Sequence, residues 1–257
     1  MTPGVKSGNA AKPYLKQAAS FWSARYRSQV GWTDELHRYA LSRCGLLKDA
    51  RLLEVGCGYG ALLEALAFDG YSRLTGIDLN LTALHEIPDS INKTCTHGLN
   101  LPFASGSFNA CLCHFYLLWV ADPLAALLEI KRVARPGGWL LALAEPDYGA
   151  RVDEPAELKG LGDLQTQALR MQGADPCIGA RLSELFQQVG LTVIESGVLE
   201  RGEPDPEQEW RVLSADLEST LIPAELQHWR EMDRAAWQSG RRVLHVPIHY
   251  AFGQIPF

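Results

Sequence analysis

Leu52-Leu53-Glu54-Val55-Gly56-Cys57-Gly58-Tyr59-Gly60-Ala61 is the stretch that decides how this chain folds. It opens as a short apolar run of the buried-strand kind and ends in three glycines. It then passes directly into Ala61–Phe68, a Leu- and Ala-rich segment that reads as helix. Glycines at a strand-to-helix turn tolerate positive φ and let another group approach the backbone closely. The start of the helix offers unpaired N–H groups. The next apolar run, Leu74–Ile77, is followed by Asp78, about 20 residues beyond the first glycine. A carboxylate there can accept hydrogen bonds from both hydroxyls of a ribose.

Outward from this unit the alternation continues. A helical pattern over Tyr14–Arg27 carries Phe21, Trp22 and Tyr26, and a second helix runs from Thr33-Asp34 to about Cys44. Downstream, Thr82–His85 begins a short helix, and Thr94–His97 and Phe108–His114 read as strands. Asp122 caps a helix that reaches Ala134 and stops at Pro136-Gly137-Gly138, before the apolar strand Trp139–Ala144. Beyond Glu145 come helices at about Glu157–Met171 and Ala180–Val189, then a strand at Leu191–Val198. Two Trp-bearing helices (Glu207–Leu217 and Ala224–Gln238) precede a last strand, Arg242–Ala251, which contains Pro247. Short apolar strands alternating with helices predict βαβ units. The expected fold is α/β: a seven-stranded, mostly parallel Rossmann-like sheet with helices on both faces, an N-terminal helical lid and a helical insertion before the last strand.

Composition bounds what such a chain can do. In 257 residues, 47% are hydrophobic and 21% charged, enough apolar material for a large core, so wholesale disorder is excluded. A net charge of −6 makes it a poor binder of nucleic-acid backbone. The longest greasy stretch, Cys111–Leu128, is interrupted by His114, Asp122 and Pro123, so no membrane insertion is expected. Met1–Lys16 is polar, without the apolar core of a secretory signal, which predicts a cytoplasmic protein with its six cysteines reduced. His245 and His249 flank Pro247 in an extended run and are too far apart to share an ion, so no metal is expected.

The glycine loop alone leaves its ligand open. Gly56-x-Gly58-x-x-Ala61 satisfies a relaxed dinucleotide fingerprint as well as a loop for a nucleoside bearing a methionine tail. A dinucleotide dehydrogenase usually opens on its first strand and adds a separate substrate domain. Here some 50 residues of aromatic-bearing helix come first, and a single sheet continues through Arg132-Val133-Ala134-Arg135-Pro136-Gly137-Gly138. Taken with Leu52–Gly60, Leu74–Asn80, Leu101-Pro102-Phe103, Gly106-Ser107-Phe108-Asn109 and Glu129–Glu145, the chain resembles class I S-adenosylmethionine-dependent methyltransferases. The similarity is to their type 11, ubiquinone/menaquinone-biosynthesis-like small-molecule branch, and it covers about residues 45–150.

The resemblance implies one domain over 1–257, with 1–45 as lid, 46–150 as cofactor-binding core and 151–257 as acceptor-side helices and strands six and seven. It implies S-adenosylmethionine as cofactor. The loop Gly56, Cys57, Gly58 and Gly60 would pass under the methionine part, and Glu54 would lie beneath the loop. Asp78 would hold the ribose and Leu79 would pack on adenine. The family's Asp that reads the adenine amino group is His97 here, followed by Gly98 and Leu99; the imidazole or the backbone of Gly98 and Leu99 would take that role. His114, at the carboxyl end of its strand, is the first candidate to line the methyl-transfer site, by backbone contact with the cofactor or by its ring. Tyr116 is the next catalytic candidate, followed by Glu145 and Asp147. The implied activity is in-line methyl transfer to an O, N or C atom of a small metabolite, with an aromatic-walled pocket between Phe21, Trp22, Tyr26 and Trp210, Trp229, Trp237. Two other functions stay open: an NAD(P)-binding oxidoreductase, and a non-catalytic relative that keeps the fold for binding or assembly.

Overall fold

The structure is a computed structural model, and it describes residues 19–200 and 204–257. The predicted start of the first helix, residues 14–18, lies outside the described residues. The first helix, α1, spans Ala19–Trp32 and joins α2 (Asp34–Arg43) at Thr33. The core then alternates as expected: β1 (Arg51–Val55), α3 (Ala61–Phe68), β2 (Arg73–Asp78), α4 (Leu81–His85), β3 (Asn92–Cys95), β4 (Phe108–His114), α5 (Pro123–Val133) and β5 (Ala134–Pro146). A short strand β6 (Val152–Glu154), α6 (Lys159–Met171), α7 (Leu182–Gln188) and β7 (Thr192–Leu199) follow. The chain ends through α8 (Pro206–Leu217), α9 (Pro223–Gln238), β8 (Val243–His245) and β9 (Ile248–Gln254).

The main sheet has seven strands in the order β3-β2-β1-β4-β5-β9-β7. The first five run parallel, and β9 is antiparallel to both β5 and β7. Alternation along each strand divides the core into two layers. Leu53, Val55, Cys111, Cys113, Leu140 and Ala142 point toward the layer that takes Leu127 and Ile130 of α5 and Leu185 and Phe186 of α7. Leu52, Leu74, Ala110, Leu112 and Leu141 point the other way, against Leu41 of α2 and Leu62, Leu63 and Leu66 of α3. A third cluster, with Leu161 of α6, Trp210, Leu213 and Leu217 of α8 and Ala236 of α9, is the core of the helical cap.

Two expectations need correction. The predicted last strand, Arg242–Ala251, is two strands in two sheets: β8 pairs with β6, while β9 completes the main sheet. Pro247 lies between them, where its missing N–H would otherwise leave a gap in the ladder. The α5 helix ends at Val133, one residue short of the expected Ala134, and β5 begins at Ala134 rather than at Trp139. The Pro136-Gly137-Gly138 bend is absorbed by a register shift against β4 between Phe108 and Ala110, and Gly137 N–H donates to Ile255 O at 3.1 Å.

Candidate functional site

The carboxyl ends of β2, β1 and β4 meet where the strand order reverses, the place an open α/β sheet offers its ligands. Between β1 and α3 the loop holds Gly56 at φ 77°, Gly58 at φ 50° and Gly60 at φ 77°, all left-handed values that other residues adopt only under strain. The loop is tied down from below. Gly56 and Cys57 N–H both donate to Ile77 O, at 2.9 and 3.0 Å. Cys57 is buried, and its thiol is pushed well up by burial and by the nearby Glu54 and Asp78 carboxylates.

Asp78 faces this loop. Its Oδ2 accepts from Gly58 N–H and its Oδ1 from Asn80 N–H, each at 2.8 Å. Each carboxylate oxygen keeps a second lone pair for a ligand hydroxyl. Glu54 lies buried beneath the loop, with Oε2 lacking any hydrogen-bond partner and its carboxyl pushed well up, first by burial and then by Asp78. Leu79 and Leu99 flank the crevice at 57% and 37% exposure, two apolar side chains left facing outward beside a polar site. His97 is exposed, and its Nδ1 accepts from Leu99 N–H at 3.1 Å, so the imidazole closes its own turn much as an Asp would. Gly98 behind it is buried.

The far wall comes from the end of β4. The His114 ring is bonded through Nε2 to Thr33 Oγ1 at 3.1 Å, at the joint of α1 and α2. Burial, with a smaller push from His37, lowers its pKa to about 3, so this imidazole stays neutral and is a weak base. The next residue, Phe115, sits at φ 51°. Tyr116, Leu117 and Leu118 then donate their N–H groups to the Glu145 carboxylate at 2.9, 2.8 and 3.1 Å. Glu145 is therefore a fully buried clamp rather than a lining group; burial lifts its pKa to about 7 against the pull of those three bonds. Asp147 likewise turns inward to its own loop, accepting from Gly149 N–H at 2.9 Å.

Two aromatic rings lie in the crevice itself. A side-chain carbon added at Gly56 would overlap the Tyr116 ring, and one at Gly98 would overlap the Tyr116 hydroxyl. At Gly58 it would come 2.9 Å from Tyr26 Cε2 of α1. The remaining predicted aromatics do not share one pocket. Phe21 and Trp22 pack with Tyr59 and Ala215, whereas Trp210 and Trp229 belong to the cap core and Trp237 lines an outer groove with Trp210. On α8 and α9 the reason is helical spacing: Trp210 and Trp229 follow the apolar stripes that seat their own helices in the cap core.

His114 supports a pH prediction. The unfolded imidazole takes up a proton below about pH 6.5, whereas the folded one resists down to about 3, so folding stability is lost as pH falls through that window. His114→Gln removes this loss. In urea unfolding, the stability of the wild type relative to the variant should drop by about 2 kcal/mol between pH 7.5 and pH 5. A constant difference would mean that the ring protonates freely in the fold.

The walls suit a nucleoside with an amino-acid tail: a bare glycine bed, a ribose-type carboxylate, an orphaned buried Glu54 oxygen and outward-facing leucines. The glycine bed admits a flat group against its backbone, as the Tyr116 ring demonstrates. The chain is also similar to known proteins. Residues 53–142 match the family model described as a methyltransferase domain. An uncharacterized methyltransferase of Schizosaccharomyces pombe is 29% identical over 153 residues, covering 52% of this chain and 54% of that protein. A ubiquinone biosynthesis O-methyltransferase of Paracidovorax citrulli is 31% identical over 121 residues, covering 44% of this chain and 47% of that one. The chain thus spans about half the length of these curated relatives. The crystal structure of the [4+2]-cyclase SpnF superposes with a TM-score of 0.59 at 20% identity, covering 87% of this chain and 80% of that one, which shows the shared fold. The core of this chain, residues 53–142, is thus similar to methyltransferase domains.

Proposed function

We propose that the chain transfers a methyl group from S-adenosylmethionine to an O, N or C atom of a small metabolite. The observation that carries this reading is Asp78, held by Gly58 and Asn80 N–H at the rim of a glycine bed in a matched methyltransferase core. The cofactor, when bound, supplies a sulfonium methyl that is already electrophilic. The chain's part is then to bind and align. Asp78 takes the ribose hydroxyls, Glu54 receives the amino-acid end from beneath the loop, and the outward faces of Leu79 and Leu99 cover the base. Alignment of this kind can account for several kcal/mol of barrier, up to about 7–11 in favourable systems.

His114 and its neighbours Phe115, Trp32 and Thr33 form the acceptor side in this reading. The ring of Phe115 stands 5.0 Å from His114 and 6.2 Å from Trp32, and Arg25 lies 4.7 Å over Trp32. A neutral His114 hydrogen-bonded to Thr33 orients an acceptor better than it deprotonates one, which favours acceptors that are nucleophilic without a strong base. Relatives named ubiquinone biosynthesis O-methyltransferase and demethylmenaquinone methyltransferase support a small aromatic or apolar acceptor. The chain's acidity argues against a nucleic-acid partner. No helix among the described residues is long and apolar enough to cross a membrane, and six free thiols suit a reducing compartment, so we infer a cytoplasmic location.

Incubation of the protein with methyl-labelled cofactor and a metabolite extract tests the reading. The expected result is labelled product together with stoichiometric S-adenosylhomocysteine. Tight NAD(P) binding without affinity for S-adenosylhomocysteine would favour an oxidoreductase instead. Cofactor binding with no product from any acceptor would favour a non-catalytic relative.

A further inference from the structure

We infer that Tyr116 is a gate on the cofactor crevice: its ring occupies the glycine bed at Gly56 and Gly98 and must swing out before a nucleoside can bind. The inference rests on the reading of this crevice as a cofactor site.

Three features separate this ring from ordinary packing. First, it fills space that glycine alone leaves free at two positions far apart in the chain. Added side-chain carbons would overlap ring carbon Cδ2 at Gly56 and the hydroxyl at Gly98, where Val55 Cγ1 is also 3.2 Å away. Second, nothing latches it. Among the described residues its hydroxyl makes no hydrogen bond, although the ring is partly buried, so packing alone holds it in place. Third, its backbone is anchored on both sides. Phe115 N–H donates to Ala144 O at 2.7 Å, and Glu145 takes the N–H of Tyr116, Leu117 and Leu118. A ring on a fixed backbone with a free hydroxyl can leave only by rotating its side-chain torsions, which is a fast local motion rather than a loop opening.

The neighbouring Tyr26 ring, 2.9 Å from the carbon built on Gly58, covers the adjacent part of the bed, but it belongs to α1 and is packed against Trp22 and Tyr59 at 6.2 and 5.8 Å. Tyr26 is thus seated among other rings, whereas Tyr116 has no aromatic ring partner among the described residues. A ligand that needs the minor, open arrangement has its apparent affinity reduced by the fraction of molecules that are open. A ring that is in place nine-tenths of the time weakens binding about tenfold, and removing it restores that factor.

The test is calorimetric titration of S-adenosylhomocysteine into the full chain and into Tyr116→Ala, with stopped-flow fluorescence on both. We expect Tyr116→Ala to bind about tenfold tighter. Both observed binding rates should rise linearly with ligand, the wild-type slope about tenfold the lower, because a ring that opens quickly leaves only the open fraction available to the ligand. Tyr116→Phe, which keeps the ring, should stay within about threefold of wild type. Tyr116→Leu, too short to reach Gly98, should fall between and serves if the alanine variant fails to fold. Unchanged or weaker binding by the shortened variants, with wild type binding well, overturns the gate and leaves the cofactor reading intact. No binding by any of the four proteins overturns both.

Discussion

Asp78→Ala is expected to weaken S-adenosylhomocysteine binding by at least tenfold and to lower the stability of the ligand-free chain by about 2 kcal/mol. The two losses have separate causes. In the ligand-free structure the carboxylate holds the loop, because Gly58 and Asn80 N–H both donate to it at 2.8 Å. Hydrogen bonds to a charged group contribute about 1.5–3 kcal/mol each, less where water can replace the acceptor, as it can here at the crevice rim. In the complex the remaining lone pairs would serve the ribose, so the affinity loss adds to the loop loss. Asp78→Asn sorts the two: one amide oxygen can still accept one backbone N–H while its NH2 faces the other donor. Calorimetry and urea unfolding on both variants read the effects independently. An alanine variant with near-normal affinity would show that the carboxylate serves the loop alone.

Glu145→Ala should be the most destabilising single change around the site, at about 3–5 kcal/mol. Its carboxylate is fully buried and is the acceptor for three successive backbone N–H groups, which begin a 3-10 turn at Leu117–Trp119. Removing it leaves those donors inside the protein with no partner, each of which costs about 1–3 kcal/mol. Glu145→Gln should be milder, because its oxygen can keep the Tyr116 and Leu117 bonds while its NH2 opposes Leu118 N–H. Chemical denaturation would check the order wild type, then Gln, then Ala. A loss under about 1 kcal/mol for the alanine variant would mean that water replaces the carboxylate and that the turn stands without it.

Much of the site could be read from residue order alone, and the reason is local. Gly56, Gly58 and Gly60 declare left-handed backbone wherever they occur, and Asp78 follows a strand whose length is set by its own apolar run. The helix cap at Asp122, which accepts from Ala125 N–H at 2.9 Å, is a contact between near neighbours in sequence. His97 was legible as a departure from the family's Asp, although only the bond from Leu99 N–H shows that it rebuilds the same turn.

What stayed hidden depends on contacts between distant segments. Glu145 looks like a site carboxylate, since it ends a strand beside the crevice, but its direction follows from where the chain after β4 comes back to β5. Its one signal was position: an acidic residue closing an almost continuously apolar strand must find donors or face solvent. The division of Arg242–Ala251 between two sheets had a clearer signal in Pro247, but its partner strand, Val152–Glu154, is too short and polar to announce itself. The tryptophans of α8 and α9 were ambiguous for a different reason: aromatic spacing on a helix specifies which face is apolar but not what that face meets.

Residue order by itself therefore determined the sheet, the glycine turn and the carboxylate at its rim, because period, turn chemistry and capping act over a few residues. Tertiary structure alone decided that Glu145 clamps a turn, that His114 is tied to Thr33 and held neutral, and that the Tyr116 ring rests on Gly56 and Gly98. Each of those is a meeting of segments far apart in the chain, and side-chain direction at such a meeting is settled by packing and by the demand that buried polar groups be paired.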